Sequence, residues 1–172
     1  MSRRTDFLQM RRRLCIWDLE PKRADALKLN LERSLRFLPQ LDLVRLRALD
    51  DPNLLPCDLL VVFATHLGED ELITWLGGFE KRLAQQQQGI WVPALIVNAC
   101  EMTRVVDVLE QTLNSNWYFD LLHPDHLSSL PVRVANLLRM HDHLHELLRY
   151  EKEIKRMQSD ISRIEAELQA LR

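Results

Sequence analysis

Cysteine is scarce in this chain, and glycine and proline are absent from its last stretch. Only Cys15, Cys57 and Cys100 occur in 172 residues. They are odd in number and carry no metal or redox spacing, which argues against a disulfide framework and for free, mostly buried thiols of a cytoplasmic protein. No apolar run approaches the length of a membrane span, and residues 1–13 lack the apolar centre of a signal peptide. The formal net charge is only −2, so no global field points to nucleic acid. Arg3, Arg4, Arg11, Arg12 and Arg13 do crowd the N-terminus; they read as a solvated basic arm over residues 1–13. Trp17, Trp75, Trp91 and Trp117 are not interleaved with basic residues, so they read as core anchors and not as stacking platforms for bases.

After Pro131 neither glycine nor proline interrupts the chain. That absence permits one long helix, and the apolar spacing within it is regular. Leu147, Ile154, Ile161 and Leu168 occupy heptad position a; Tyr150, Met157, Ile164 and Leu171 occupy d. A seam sustained over about four heptads predicts a coiled coil, and the β-branched Ile154 and Ile161 at a favour two parallel strands. The simplest partner is a second copy of the chain. The flanks work against it: Glu146, Glu153, Asp160 and Glu167 stand at g, and Glu151, Gln158, Glu165 and Arg172 at e. In a parallel homodimer Glu146 faces Glu151 and Asp160 faces Glu165, both repulsive, while Glu167 with Arg172 attracts. Acids can pair within their own helix instead, as Glu151 with Lys155 and Arg163 with Glu167, for a few tenths of a kcal/mol each. The seam therefore predicts a modest homodimer for which a more basic helix could compete.

Ahead of that helix, strand and helix patterns alternate. Apolar runs over residues 14–17, 41–46, 59–63, 92–97 and 117–122 predict five strands. Between them, helical spacing appears over residues 24–38, stopped by Pro39, then over 72–83, weakened by Gly77-Gly78, and over 102–113. Asp50-Asp51-Pro52-Asn53 is turn chemistry, and Ser129 with Pro131 reads as the cap and first turn of the last helix. Nearly continuous apolar strands need cover on both faces. The expectation is a doubly wound α/β domain with a five-stranded parallel sheet over residues 14–144, its last helix extended as a stalk over residues 145–172. In such sheets function gathers beyond the carboxyl ends of the strands.

The residues at those ends resemble response-regulator receiver domains. Ile16-Trp17-Asp18-Leu19-Glu20-Pro21 is similar to the acidic turn after their first strand, and Cys57-Asp58-Leu59-Leu60-Val61-Val62-Phe63 to the strand that ends in the phosphoacceptor aspartate. Pro93-Ala94-Leu95-Ile96-Val97-Asn98-Ala99 resembles the strand bearing the switch threonine or serine, and Asp120-Leu121-Leu122-His123-Pro124 the strand ending in lysine and a cis-linked proline. The resemblance implies a metal-dependent phosphoaspartate site, and the departures remove its parts. Phe63 stands at the nucleophile, Leu19 at one of the acidic pair beside Asp18 and Glu20, Asn98 at the switch hydroxyl, and His123 at the lysine. Two carboxylates without a third ligand make a poor magnesium site. A degenerate receiver without catalysis, cofactor or metal follows.

No acid–base pair at Thr65, His66, His123 or His126 has a spacing that compels another chemistry. His141 and His145 lie one helical turn apart but lack a third ligand for zinc. The expected function is that of a cytoplasmic signalling module. It dimerises through the stalk and relays a partner's signal to an output such as a diguanylate cyclase or an AAA+ activator, because the chain stops in mid-heptad. The alternatives are a stand-alone adaptor multimerised by its coiled coil, or a sensor binding a small molecule or cyclic nucleotide in the degenerate pocket.

Overall fold

Leu, Ile and Val runs with no polar side to offer water are stable only inside a sheet covered on both faces, and this chain builds one. In the computed structural model the described residues are 11–18, 24–38, 40–47, 57–87, 92–100 and 118–170. The elements are β1 (Arg12–Asp18), α1 (Ala24–Ser34), β2 (Leu41–Leu46), β3 (Leu59–Phe63), α2 (Glu69–Gln87), β4 (Ala94–Val97), β5 (Phe119–Leu122), a 3-10 helix (Pro124–Ser129) and α3 (Leu130–Ala170). Residues 1–10, Leu19, Glu20, the turn at 50–53, Trp91, the helix expected over 102–113, Trp117 and Leu171 lie outside the described residues.

The five strands form one sheet in the order β2-β1-β3-β4-β5, every neighbouring pair parallel. The protein is thus an α/β structure, with its chain reversing direction across the sheet between β1 and β3. Every residue of β3 and β4 is buried, whereas the edge strand β2 is only half-buried over most of its length. Leu60, Val62 and Ala64 share one face with Cys15, Ala94, Ile96 and Leu121, and α2 closes that face through Leu72 and Leu76. Side-chain alternation sends Leu59, Val61 and Phe63 to the opposite face, with Leu14 and Ile16 of β1. All of these except Phe63, at 4%, have no exposed surface.

Three local differences from the sequence pattern have plain causes. First, β1 begins at Arg12, inside the run read as a solvated arm. Arg13 is held there because its amide donates to Asp58 Oδ2 at 2.7 Å and its guanidinium lies 3.5 Å from Asp42. Second, β4 and β5 each begin two residues later than their apolar runs, although Val92 and Pro93 are buried. Pro93 has no amide to give a ladder and contributes only its carbonyl, to the Leu60 amide. Third, Ser129 does not cap the last helix. It ends the 3-10 helix that runs into α3, and its hydroxyl donates to the His126 carbonyl at 2.8 Å.

Helix α2 opens on Gly68, whose carbonyl accepts from the Leu72 amide while its own amide donates to Glu71 Oε2 at 3.0 Å. The glutamate three residues into the helix thus satisfies one of the amides every helix start leaves open. Helix α3 spans 41 residues, about 60 Å at 1.5 Å per residue. Val134, Ala135, Leu137 and Leu138 bury its first turns, and the chain separates into two compact units between Leu138 and Arg139. Among the described residues no helix is long and apolar enough to cross a membrane.

Two substitutions test this architecture in opposite directions. Val61→Asp should prevent folding, because an unpaired carboxylate at a position with no exposed surface costs several kcal/mol against a total of about 5–15 kcal/mol. A cooperative thermal melt of that variant by circular dichroism would remove Val61 from the sheet centre. Gly77→Ala should instead stabilise by about 0.5–1 kcal/mol, since an added Cβ there meets nothing within 4 Å. Calorimetry should show the melting temperature raised by a few degrees.

Candidate functional site

Strand register aligns the carboxyl ends of four strands. Asp18 pairs with Phe63, Phe63 with Val97 and Val97 with Leu122. Asn98 and His123 follow one residue beyond this row. The fold therefore brings Asp18, Phe63, Asn98 and His123 to one edge of the sheet; Leu19 and Glu20 are outside the described residues. Register partners in a parallel pair point to the same face, so the phenyl of Phe63 neighbours the carboxylate of Asp18. Both are buried. Phe63 supplies no oxygen for a nucleophile or for a cation.

Asn98 is a buried polar residue at this edge. It has no exposed surface, and both ends of its amide are in use. Nδ2 donates to the Ala64 carbonyl and to the Leu67 carbonyl at 3.1 Å, while Oδ1 accepts from the Cys100 amide at 2.7 Å. The side chain locks the loop leaving β3 to the loop leaving β4. A threonine or serine at this position could not span the same three partners, because a hydroxyl has one proton to donate where the amide has two. The spacings of 34 and 31 residues in these bonds explain why sequence pattern alone did not reveal the clamp.

His123 serves as a cap. Its backbone is extended, Pro124 follows at the start of the 3-10 helix, and its Nδ1 accepts from the Asp125 amide at 3.2 Å. The same Nδ1 lies 3.5 Å from the Asp125 carboxylate. The opposite side of the edge is acidic, since Glu69, Asp70 and Glu71 fill the first turn of α2.

Asp120 stands in β5 beside Leu95. Its two oxygens lie 2.7 and 2.6 Å from Arg133 Nη1, and the same nitrogen lies 3.4 Å from the Leu121 carbonyl. This ion pair fastens the first turn of α3 to β5. An acid inside an apolar strand is itself a signal that a cation lies nearby, and Arg133 in the following helix was the available one. Two of the thiols, Cys57 and Cys100, are made less acidic by their surroundings. Cys57 is pushed well above its ordinary value by its hydrogen bond with Cys15 and then by burial, and Cys100 is raised by burial and then by the Glu69 carboxylate. Thr65 is half-buried and His66 exposed in the turn after β3.

The second unit carries the heptad residues. Leu147, Tyr150, Ile154, Met157, Ile161, Ile164 and Leu168 are exposed by 44–62% in the single chain, and Leu171 lies outside the described residues. Glu151 pairs with Lys155 at 2.6 Å as expected. Arg163 pairs with Asp160 at 3.2 Å and not with Glu167, because the three-residue step is equally accessible on a helix surface. His141 Nε2 and His145 Nε2 lie 3.0 Å apart, and among the described residues no three His, Cys, Asp or Glu side chains gather as metal ligands. Comparison with protein-family models, with curated proteins and with solved structures gave no match.

The clamp makes a specific prediction. Asn98→Ala should cost about 2–4 kcal/mol, since it strands the Cys100 amide and removes a donor from two carbonyls. Asn98→Asp should be worse at neutral pH, because its carboxylate would face the Ala64 and Leu67 carbonyls. The folded-state pKa of the new carboxyl is then raised, so stability is retained at acid pH and lost as pH rises through that value. Denaturant melts at several pH values check the order; an Asn98→Asp protein as stable as wild type at neutral pH would dissolve the clamp.

Proposed function

We propose that the chain is a receiver-like signalling module without phosphotransfer, which acts by pairing α3 with another helix in a parallel two-stranded coiled coil. The observation that carries this reading is the exposed heptad stripe from Leu147 to Leu168, on a helix whose first turns are buried at Val134 and Leu138. A helix whose root is part of the core and whose far end presents an apolar seam is built to couple the two. The sheet order β2-β1-β3-β4-β5 supports the receiver-like part, being the order of flavodoxin-like doubly wound sheets.

The carboxyl-edge chemistry supports the loss of catalysis. Phe63 stands beside Asp18, Asn98 is committed to three backbone groups, and His123 caps a helix. The edge is a fixed surface for a protein partner in the cytoplasm, and α3 transmits by the way it packs. An output module in the same signalling system reads that packing. Two copies of the chain make the simplest pair; buried seam residues contribute about 1.5–3 kcal/mol each where they pack fully.

Two measurements test this function. Incubation with acetyl phosphate and magnesium should leave the intact mass unchanged, and Phe63→Asp alone should stay inert because Leu19 and His123 remain. A stoichiometric acid-labile phosphoryl group on either protein would contradict the reading. Sedimentation equilibrium should show the full chain associating with itself at micromolar to high micromolar concentration, and Ile161→Asp should return it to monomer by placing a charge in the seam. Undiminished association of Ile161→Asp would put the contact elsewhere.

A further inference from the structure

The charges of the stalk are sorted about its seam. Between residues 146 and 168 all six acids, Glu146, Glu151, Glu153, Asp160, Glu165 and Glu167, fall at heptad positions e and g. All five cations, Arg149, Lys152, Lys155, Arg156 and Arg163, fall at b, c and f, away from the seam. The stripe is apolar, its borders are acidic, and its back is basic. Within the helix, Glu153 pairs with Arg149 at 3.7 Å, Glu151 with Lys155 and Asp160 with Arg163. Among the described residues these ion pairs reach three of the border acids and leave Glu146, Glu165 and Glu167 without a cation.

Such borders discriminate among partners. A second copy in parallel sets g against e of its twin and opposes Glu146 to Glu151 and Asp160 to Glu165, each twice in a two-fold pair. An antiparallel copy sets g against g, where every residue is acidic. Both homotypic arrangements are repelled at these positions, whereas a helix with Lys or Arg at e and g meets attraction at each of the six acids.

We propose that the preferred occupant of the α3 seam is a helix of another protein, apolar at a and d and basic at e and g, which displaces the homotypic pair. This rests on the coiled-coil reading of α3 and names its partner by charge. The chain is the acidic member of an acid–base coiled coil, and its weak self-association holds the seam until the basic helix arrives.

The test uses the full chain and two synthetic helices of four heptads, with Leu and Ile at a and d and neutral outer positions. One carries Lys at every e and g, the other Glu. By sedimentation and fluorescence anisotropy, the chain should bind the Lys-flanked helix at least tenfold more tightly than it binds itself at about 50 mM salt, and should not bind the Glu-flanked helix. Raising salt to about 500 mM should weaken the heterotypic pair and strengthen the homotypic one, since screening removes attraction from the first and repulsion from the second. The combined variant Glu151→Lys, Asp160→Lys and Glu165→Lys, all on exposed or half-buried positions, leaves three acids against three lysines and should level the preference between the two helices. If the chain pairs with itself and the Lys-flanked helix fails to displace it, the partner assignment is overturned while the coiled coil stands. If the chain pairs with neither itself nor either helix, the coiled coil falls and the assignment with it.

Discussion

The side-chain amide of Asn98 sits without exposed surface at the carboxyl end of β4 and reaches back to two carbonyls of the loop that leaves β3. Its oxygen meanwhile holds the Cys100 amide. These bonds join the loop that leaves β3 to the loop that leaves β4. In a low-dielectric edge each bond is strong, and each is costly to leave unmade. The neighbouring residues accept that constraint. Phe63 extends the apolar core to the last residue of β3, Asp18 lies beside it in register, and Glu71 satisfies the Gly68 amide at the start of α2. The amide of Asn98 is thus turned inward, upon the backbone of the two loops.

In the reading proposed above, the working part of the molecule is α3. Its root is fixed twice, by the burial of Val134 and Leu138 and by the ion pair of Arg133 with Asp120. Its far end repeats apolar residues at a and d with the charges segregated around them. The same helix is therefore buried over its first turns and, in the proposed reading, pairs selectively at its far end. The first is a matter of volume and shape. The second is a matter of charge at the borders of a seam, which decides between partners more than it adds to affinity.

Much of the sheet was legible because buried parallel strands leave a simple trace. Residues 41–46 and 59–63 match β2 and β3 residue for residue. The heptad seam was equally plain, since a period repeated over several turns outweighs any single exception. Legibility ended where a side chain acts across the fold. Arg12 and Arg13 looked like part of a charged arm, yet Asp42 and Asp58, far along the chain, draw Arg13 into β1. His123 looked like a substitute for a cation and is a cap, because Pro124 and the Asp125 amide follow it. Asp120 looked like an unexplained acid in an apolar strand until Arg133 stood beside it. Each of these depends on a partner that only the folded chain identifies.

The central claim is that α3 pairs in parallel through its heptad seam. It is tested most directly by disulfide trapping of the full chain carrying Ile161→Cys, oxidised at about 500 mM salt, where repulsion between acidic borders is screened. A parallel pair sets residue 161 of one chain against residue 161 of the other, so the account predicts rapid formation of a 161–161 cross-link, identified by mass spectrometry. It also predicts that a cysteine at the outward position Lys152 gives none. Cross-linking at 152 equal to that at 161, or cross-links from 161 only to cysteines placed at Met157 or Ile164 and never to itself, would contradict it.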